Sequence, residues 1–386
     1  MALEGNWNYP TAVRFGAGRA AEIGAVAKET GLANPLIVTD PGLAQLPMIA
    51  ATVAQVRGAG LGCAVFSDIK SNPTGANVDA GVSAYRSGGH DGVIAFGGGS
   101  GLDAAKAVAL LAGQDRPLWD FEDVGDNWKR VGPGSIAPIL ALPTTAGTGS
   151  EVGRASVITD EAAEIKRIIF HPDMLPGTVI CDPELTVGLP VALTAATGMD
   201  ALSHAMEALC APGYHPLARG IALEAIRLIR DALPRVVADG ADLEARSHML
   251  TASLMGATAF QRGLGAMHAL AHPLGALYDA HHGLLNAILM PYVLVANKPA
   301  IGEALTDLAR LLALDDAGPD AVLAWVLQLR SDIGIPHSLS DIGIDGAQAR
   351  RIGRMAAVDP SGTTNPIAFD ADQYAALFER AVAGRV

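Results

Sequence analysis

The chain has 386 residues, half hydrophobic and 17% charged, which is too long for one ordinary core and suits two well-filled domains. Its 27 Lys and Arg against 40 Asp and Glu leave a net charge of −13, a surface that repels phosphate backbones and excludes nucleic acid as an expected partner. Cys63, Cys181 and Cys210 are scattered without a C-x-x-C pair, Met1-Ala2-Leu3-Glu4 lacks a signal-peptide pattern, and no uninterrupted apolar run reaches the roughly 18–20 residues of a membrane span; a cytoplasmic protein with no membrane partner is expected.

Along the chain, Gly16-Ala17-Gly18-Arg19-Ala20-Ala21 has a G-x-G-x-x-A shape but no long apolar strand before it, and reads as a turn before a helix. Pro35–Asp40 reads as a strand ending in a turn, and Gly62–Ile69 as another. Asp91–Phe96 runs into Gly97-Gly98-Gly99-Ser100, with a helix expected from Leu102. Ile136–Pro143 leads to Thr144-Thr145-Ala146-Gly147-Thr148-Gly149-Ser150. These runs are apolar rather than alternating, as parallel strands covered on both faces are, and strands alternating with helices imply an α/β doubly wound, Rossmann-like sheet. The character changes near Asp182-Pro183-Glu184-Leu185. Beyond Val191 the pattern is helical, with amphipathic helices expected over Leu217–Leu233, Leu243–Phe260 and Ala300–Leu312. The expected domains are an α/β domain over residues 1–185 and an all-α domain over residues 186–386.

Eight of the ten histidines lie after residue 200, and four fall between His268 and His282. Asp200 and His204 are spaced i, i+4, which puts both side chains on one helix face, and His268 and His272 repeat that spacing. His281-His282-Gly283 follows. One carboxylate and several imidazoles from three segments suit Fe²⁺, Zn²⁺, Mn²⁺ or Co²⁺, and the residue types do not choose among them.

The stretches G-M-D-A-L-S-H-A-M-E (198–207) and G-A-M-H-A-L-A-H-P-L-G-A-L-Y-D-A-H-H-G (265–283) resemble the signatures of iron-containing (group III) alcohol dehydrogenases. G-G-G-S-G-L-D-A-A-K (97–106) and P-T-T-A-G-T-G-S-E-V (143–152) match the cofactor segments of that family, and the similarity runs in order over essentially the whole chain. The resemblance implies a dehydroquinate synthase-like two-domain architecture. It implies the metal ligands Asp200, His204, His268 and His282, with Fe²⁺ as the ion and Zn²⁺ as the alternative. His272 matches the second histidine near the metal, usually considered a proton relay. His281 stands where relatives often have Pro, and Gly283 after His282 matches the motif, which selects His282.

The glycine turn follows an apolar strand and opens a helix, so pyrophosphate can approach backbone N–H groups at a helix N-terminus. Leu102 occupies the last glycine's place in G-x-G-x-x-G, so this is a different fingerprint. The resemblance assigns pyrophosphate to Gly98, Gly99 and Ser100, with Asp103 close by. It assigns Thr144, Thr145 and Thr148 to the nicotinamide side, Lys166 and Leu185 further along, and Asn72 near the adenosine. Asp40 ends its strand, where a carboxylate accepts hydrogen bonds from ribose hydroxyls and repels a 2′-phosphate, so NAD(H) is expected over NADP(H); helix capping is the plainer role for it.

The expected activity is an NAD-linked alcohol dehydrogenase or aldehyde reductase acting on a small alcohol or carbonyl, in a homodimer or larger homo-oligomer. The alternatives are a maleylacetate reductase-like enzyme and a polyol or hydroxyacid dehydrogenase of the same superfamily. A lyase of the dehydroquinate synthase sort needs a Lys/Arg cluster in the helical half, and Arg262 is the only such residue across 260–285. A non-catalytic binding protein does not account for convergent metal and nucleotide signatures. Trp119, Phe121, Phe260 and Asn365-Pro366 are candidate lining residues, with core packing the plainer reading of each aromatic.

Overall fold

A computed structural model describes residue 9 and residues 11–386; Met1-Ala2-Leu3-Glu4, read above for a targeting signal, lies outside the described residues. Two compact units divide the chain. The first comprises Tyr9–Thr145 and Gly149–Gly188, and the second includes Ala146–Thr148 and Leu189–Val386.

The strands of the first unit are β1 (Ala12–Phe15), β2 (Leu36–Val38), β3 (Ala64–Phe66), β4 (Val93–Gly97), β5 (Ile139–Pro143), β6 (Ala155–Asp160), β7 (Ile165–Phe170) and β8 (Thr178–Cys181). Among the described residues, six of them form a parallel sheet in the order β1-β8-β5-β4-β2-β3. Its helices are α1 (Ile23–Glu29), α2 (Pro47–Gly58), α3 (Gly75–Ser87) and α4 (Gly99–Ala112). Side chains alternate across a strand, so Ile94 and Phe96 of β4 join Ile37, Leu140, Leu142 and Ile180 in a core with Ile23, Val26, Ile49 and Val56 from α1 and α2. A separate core gathers Val78, Val82, Val108 and Leu110 of α3 and α4 with Phe121, Ile158 and Ile169. Each fully buried side chain of this size contributes about 1.5–3 kcal/mol.

β6 and β7 pair as an antiparallel hairpin, and β6 alternates buried and half-buried residues. Neither this hairpin nor the short strands β1 and β8 are among the elements expected from the sequence. β1 is an edge strand with largely exposed side chains, so it lacks the apolar run that betrays a buried strand.

The second unit is helical: α5 (Val191–Cys210), α6 (Pro216–Ala238), α7 (Leu243–Ala259), α8 (Ala266–Tyr278), α9 (His282–Leu311), α10 (Pro319–Asp332), α11 (Ala349–Ala357) and α12 (Ala371–Ala383). α5 is buried from Thr194 to Leu209 and packs against α6, α7 and α9. Gly283 lets the start of α9 meet α5: a Cβ there would lie 2.5 Å from the Ala196 carbonyl oxygen and 3.0 Å from Asp200 Cβ. The helix expected over Ala300–Leu312 is the end of the 30-residue α9, which runs through Pro291 and Pro299. An interior proline costs about 3 kcal/mol, and here packing of a mostly buried helix overrides it. By length and composition α9 passes for a membrane span, but 67% of its apolar window is buried inside the protein, which accounts for its hydropathy.

Candidate metal centre and dinucleotide site

In the first unit the chain crosses from β3 on one flank of β2 to β4 on the other, so the strand order reverses between β2 and β4. Ligands of open α/β sheets bind outside the carboxyl ends of strands at such a switch point. Asp40 follows β2 there, and Gly98 is the N-cap of α4 directly after β4. Asp40 Oδ1 accepts from Leu43 N at 2.9 Å, so the capping role is real. Its Oδ2 lies 3.8 Å from where a Cβ on Gly97 would stand, so the same carboxylate also flanks the glycine turn.

Thr144 follows β5, and its N–H donates to the Gly97 carbonyl at 2.9 Å. A Cβ on Gly98 would come within 3.1 Å of Thr145 Cγ2, which keeps that position side-chain-free. Ser100 Oγ donates to the Ser71 carbonyl, and Lys166 Nζ donates to Asn72 Oδ1 at 2.7 Å. The fold thus draws Asp40, Gly98, Gly99, Ser100, Thr144 and Thr145 to one end of the sheet and ties Asn72 to Lys166. α4 begins at Gly99, three residues before the expected start, so the turn's N–H groups belong to the helix N-terminus.

Asp103 faces inward instead. Its Oδ1 accepts from Ser150 Oγ and its Oδ2 from Val157 N at 2.9 Å, so it clamps the hairpin. Leu185 packs against the core beneath the sheet. Thr148 belongs to the short segment grouped with the helical unit.

In the helical unit, one ligand atom each from Asp200, His204 and His268 lie within 4.8 Å of one another, all three residues buried. His282 Nε2 stands 3.8 Å from Asp200 Oδ1, and its ring centroid is 5.2 Å from that of His268. His281 does different work: its Nδ1 accepts from Leu284 N and caps α9. His272 stacks on His282 with centroids 5.5 Å apart, and its Nδ1 meets Asp359 Oδ2 at 2.8 Å.

The donor set itself tests whether a cation fits. Asn286 Nδ2 lies 2.9 Å from Asp200 Oδ1, 3.2 Å from His268 Nε2 and 3.1 Å from His282 Nε2. An amide NH₂ has two hydrogens, so three acceptors oversubscribe it. The His268 Nδ1 is committed to Glu207 Oε2 at 2.6 Å, which leaves Nε2 to carry the lone pair of the neutral ring. This surplus of acceptors, one carboxylate and the rest imidazole, is what a divalent first-row cation satisfies.

Burial pushes the His204 imidazole down to about 4, which keeps it neutral near pH 7. Burial also favours neutral His268, yet the charge of Glu207 and its hydrogen bond hold this ring above the ordinary histidine value. Burial opposes the charge on Asp359, but the His272 ring and its hydrogen bond hold that carboxyl below its usual range.

Sequence reasoning passed over Glu207, Asn286 and Asp359 as working residues. Glu207 sits seven residues after Asp200 and Asn286 four after His282, so helical spacing was the available signal for both. Asp359 reaches His272 across 87 residues and leaves no spacing to read. Of the candidate lining residues, Phe121 is core, Phe260 tilts against His204 at 5.2 Å, and Asn365 pairs with Asn297.

A dinucleotide-shaped glycine turn in one unit and an acceptor-rich carboxylate and histidine cluster in the other are features of one class of protein, the metal-dependent dehydrogenases. The family model for iron-containing alcohol dehydrogenase matches residues 10–183, and the C-terminal model of the Fe-containing alcohol dehydrogenase family matches residues 194–382. The 4-hydroxybutyrate dehydrogenase of Cupriavidus necator is 38% identical over 384 residues, covering 97% of this chain and 99% of that protein. Among solved structures, a 1,3-propanediol oxidoreductase superposes with a TM-score of 0.92 at 35% identity, covering 97% of this chain and 99% of the other. Sulfoacetaldehyde reductase from Bifidobacterium kashiwanohense, in complex with NAD⁺, has a TM-score of 0.88 at 32% identity, covering 98% and 100%. The chain belongs to the iron-containing alcohol dehydrogenase family and is an oxidoreductase of that kind.

Proposed function

We propose that this protein is a metal-dependent, NAD-linked alcohol dehydrogenase that interconverts a small alcohol and its carbonyl compound. The observation that carries the reading is the convergence of Asp200, His268 and His282 acceptors on one overcommitted amide, beside His204. Asp200, His204, His268 and His282 would hold the ion, with Fe²⁺ expected from the family and Zn²⁺ the other candidate. When bound, the ion supplies Lewis acidity toward the substrate oxygen and the nicotinamide supplies the hydride acceptor.

Gly98, Gly99 and Ser100 would hold the pyrophosphate at the backbone N–H groups that open α4. By resemblance to the family, Thr144, Thr145 and Thr148 would hold the nicotinamide side, and Asn72, Lys166 and Leu185 are the further residues that would hold the dinucleotide. Asp40 accepts from the adenosine ribose hydroxyls and disfavours a 2′-phosphate. His272 donates its Nδ1–H to Asp359, whose carboxylate form is favoured, and so presents Nε2 to take up and pass on the substrate's hydroxyl proton. The same reading places the protein in the cytoplasm as a homodimer or larger homo-oligomer. Hydroxyacid oxidation is the second reading, favoured by the similarity to a 4-hydroxybutyrate dehydrogenase.

Chelation is expected to abolish NAD⁺ reduction with a panel of short alcohols, diols and hydroxyacids while NADH still binds by fluorescence. Fe²⁺ or Zn²⁺ is expected to restore it. Full turnover by protein verified as metal-free would overturn the proposal.

A further inference from the structure

Glu207 is a 5% exposed carboxylate on α5, on the same face as Asp200 and His204. Its described hydrogen bonds come from two backbone amides and one imidazole. Oε2 accepts from Gly265 N at 2.8 Å and from His268 Nδ1 at 2.6 Å, and Oε1 accepts from Met267 N at 2.8 Å. Gly265 is the N-cap of α8, so the carboxylate sits at the positive end of the helix that carries His268. The intervening amide, Ala266 N, donates to Asn365 Oδ1 at 3.0 Å, and Asn365 exchanges amide hydrogen bonds with Asn297 of α9. The first turn of α8 is therefore bound by side chains from α5 and from the segment after α11.

The histidines are braced unequally. His204 is braced by no carboxylate hydrogen bond among the described residues; its ring meets the backbone of Gly147 instead. His268 Nδ1 faces a carboxylate fixed by two amides. A histidine whose second nitrogen donates to a carboxylate is held in one tautomer and is the more basic ligand.

We propose that Glu207 is a positioning residue of the metal centre: by accepting the His268 Nδ1 proton while anchored to the α8 N-terminus, it fixes His268 with its Nε2 lone pair directed at the ion. The inference rests on the metal-dependent reading above and adds a residue that reading does not use. Glu207 also ties down the start of α8 and carries a charge near the site, but the hydrogen-bond brace acts through His268, so most of its effect on metal affinity is lost once His268 is removed.

The test is a double-mutant cycle on the full chain, reading Zn²⁺ dissociation constants by competition with a chromophoric chelator and the visible spectrum of the Co²⁺-substituted protein. Glu207→Gln is expected to weaken Zn²⁺ binding about 10–100-fold and to alter the Co²⁺ bands. Glu207→Asp keeps the charge but withdraws it by one methylene, and is expected to lose less. In a His268→Ala background each substitution is expected to add only a small further loss, well below its effect with His268 present. An unchanged dissociation constant in folded E207Q, a loss in E207D as large as in E207Q, or an equal loss with and without His268, would overturn the proposal. A wild-type chain that binds no divalent ion would instead overturn the metal reading beneath it.

Discussion

Three acceptors crowd the Asn286 amide because Asp200, His268 and His282 come from three helices that meet at one point. Ligation and proton transfer are then separable by substitution. His268→Ala is expected to bind metal far more weakly and to be purified with little of it, measured by elemental analysis of the purified protein. His272→Ala is expected to keep its metal and lose about 10²–10⁴-fold in kcat; equal metal loss in both variants would contradict the division of labour. At the other site, Asp40→Gly is expected to raise the ratio of NADP⁺ to NAD⁺ efficiency in kcat/KM by about tenfold or more, roughly the 1.4 kcal/mol of one removed like-charge contact. An unchanged ratio would leave Asp40 as a cap on Leu43 alone. The ligand pairs were legible because i, i+4 spacing places them on one helix face. Glu207 and Asn286 were marked only by their helical spacing from Asp200 and His282, and Asp359 meets His272 across 87 residues, of which a single sequence carries no mark.

The α4 helix shows how an element can be stapled from below. Lys106 is fully buried and donates to the Ser150 carbonyl at 3.0 Å and to the Ala155 carbonyl, while Asp103 takes Val157 N. The helix thereby holds both the hairpin and the end of the threonine-rich loop. Burial lowers the Lys106 pKa against the pull of Asp103, and burial raises Glu151, beside it, to about 7. An acid whose folded pKa exceeds its ordinary value binds its proton more tightly when folded. Its contribution to stability is therefore largest in acid, declines as pH rises from about 4.5 to about 7, and stays flat above. Glu151→Gln is expected to remove that decline and to be the more stable protein at about pH 8, read as urea midpoints across the range; the same slope in both proteins would contradict it. Elements announced by long apolar runs, such as β4 and β5, were legible in the sequence. The hairpin was not, because β7 is half-buried along almost its whole length and shows no clean alternation, and α9 is longer than the helix expected from the sequence because prolines inside it look like a start signal.

At the scale of the whole molecule, two units carry complementary chemistry. The first is a covered parallel sheet whose switch point lies between β2 and β4. The second is a set of helices around the almost wholly buried α5, which supplies Asp200, His204 and Glu207 from one face. The similarity covers 97% of this chain and 99% of the Cupriavidus protein, so both units have counterparts in that relative. The central proposal is one divalent ion held by Asp200, His204, His268 and His282. Anomalous diffraction at the metal edge, from crystals of the Zn²⁺- or Fe²⁺-loaded protein, tests this most directly. The account predicts a single strong peak bounded by Asp200, His204, His268 and His282, with Asn286 turned away from the two imidazole nitrogens; a loaded protein with its peak elsewhere, or none, would contradict it.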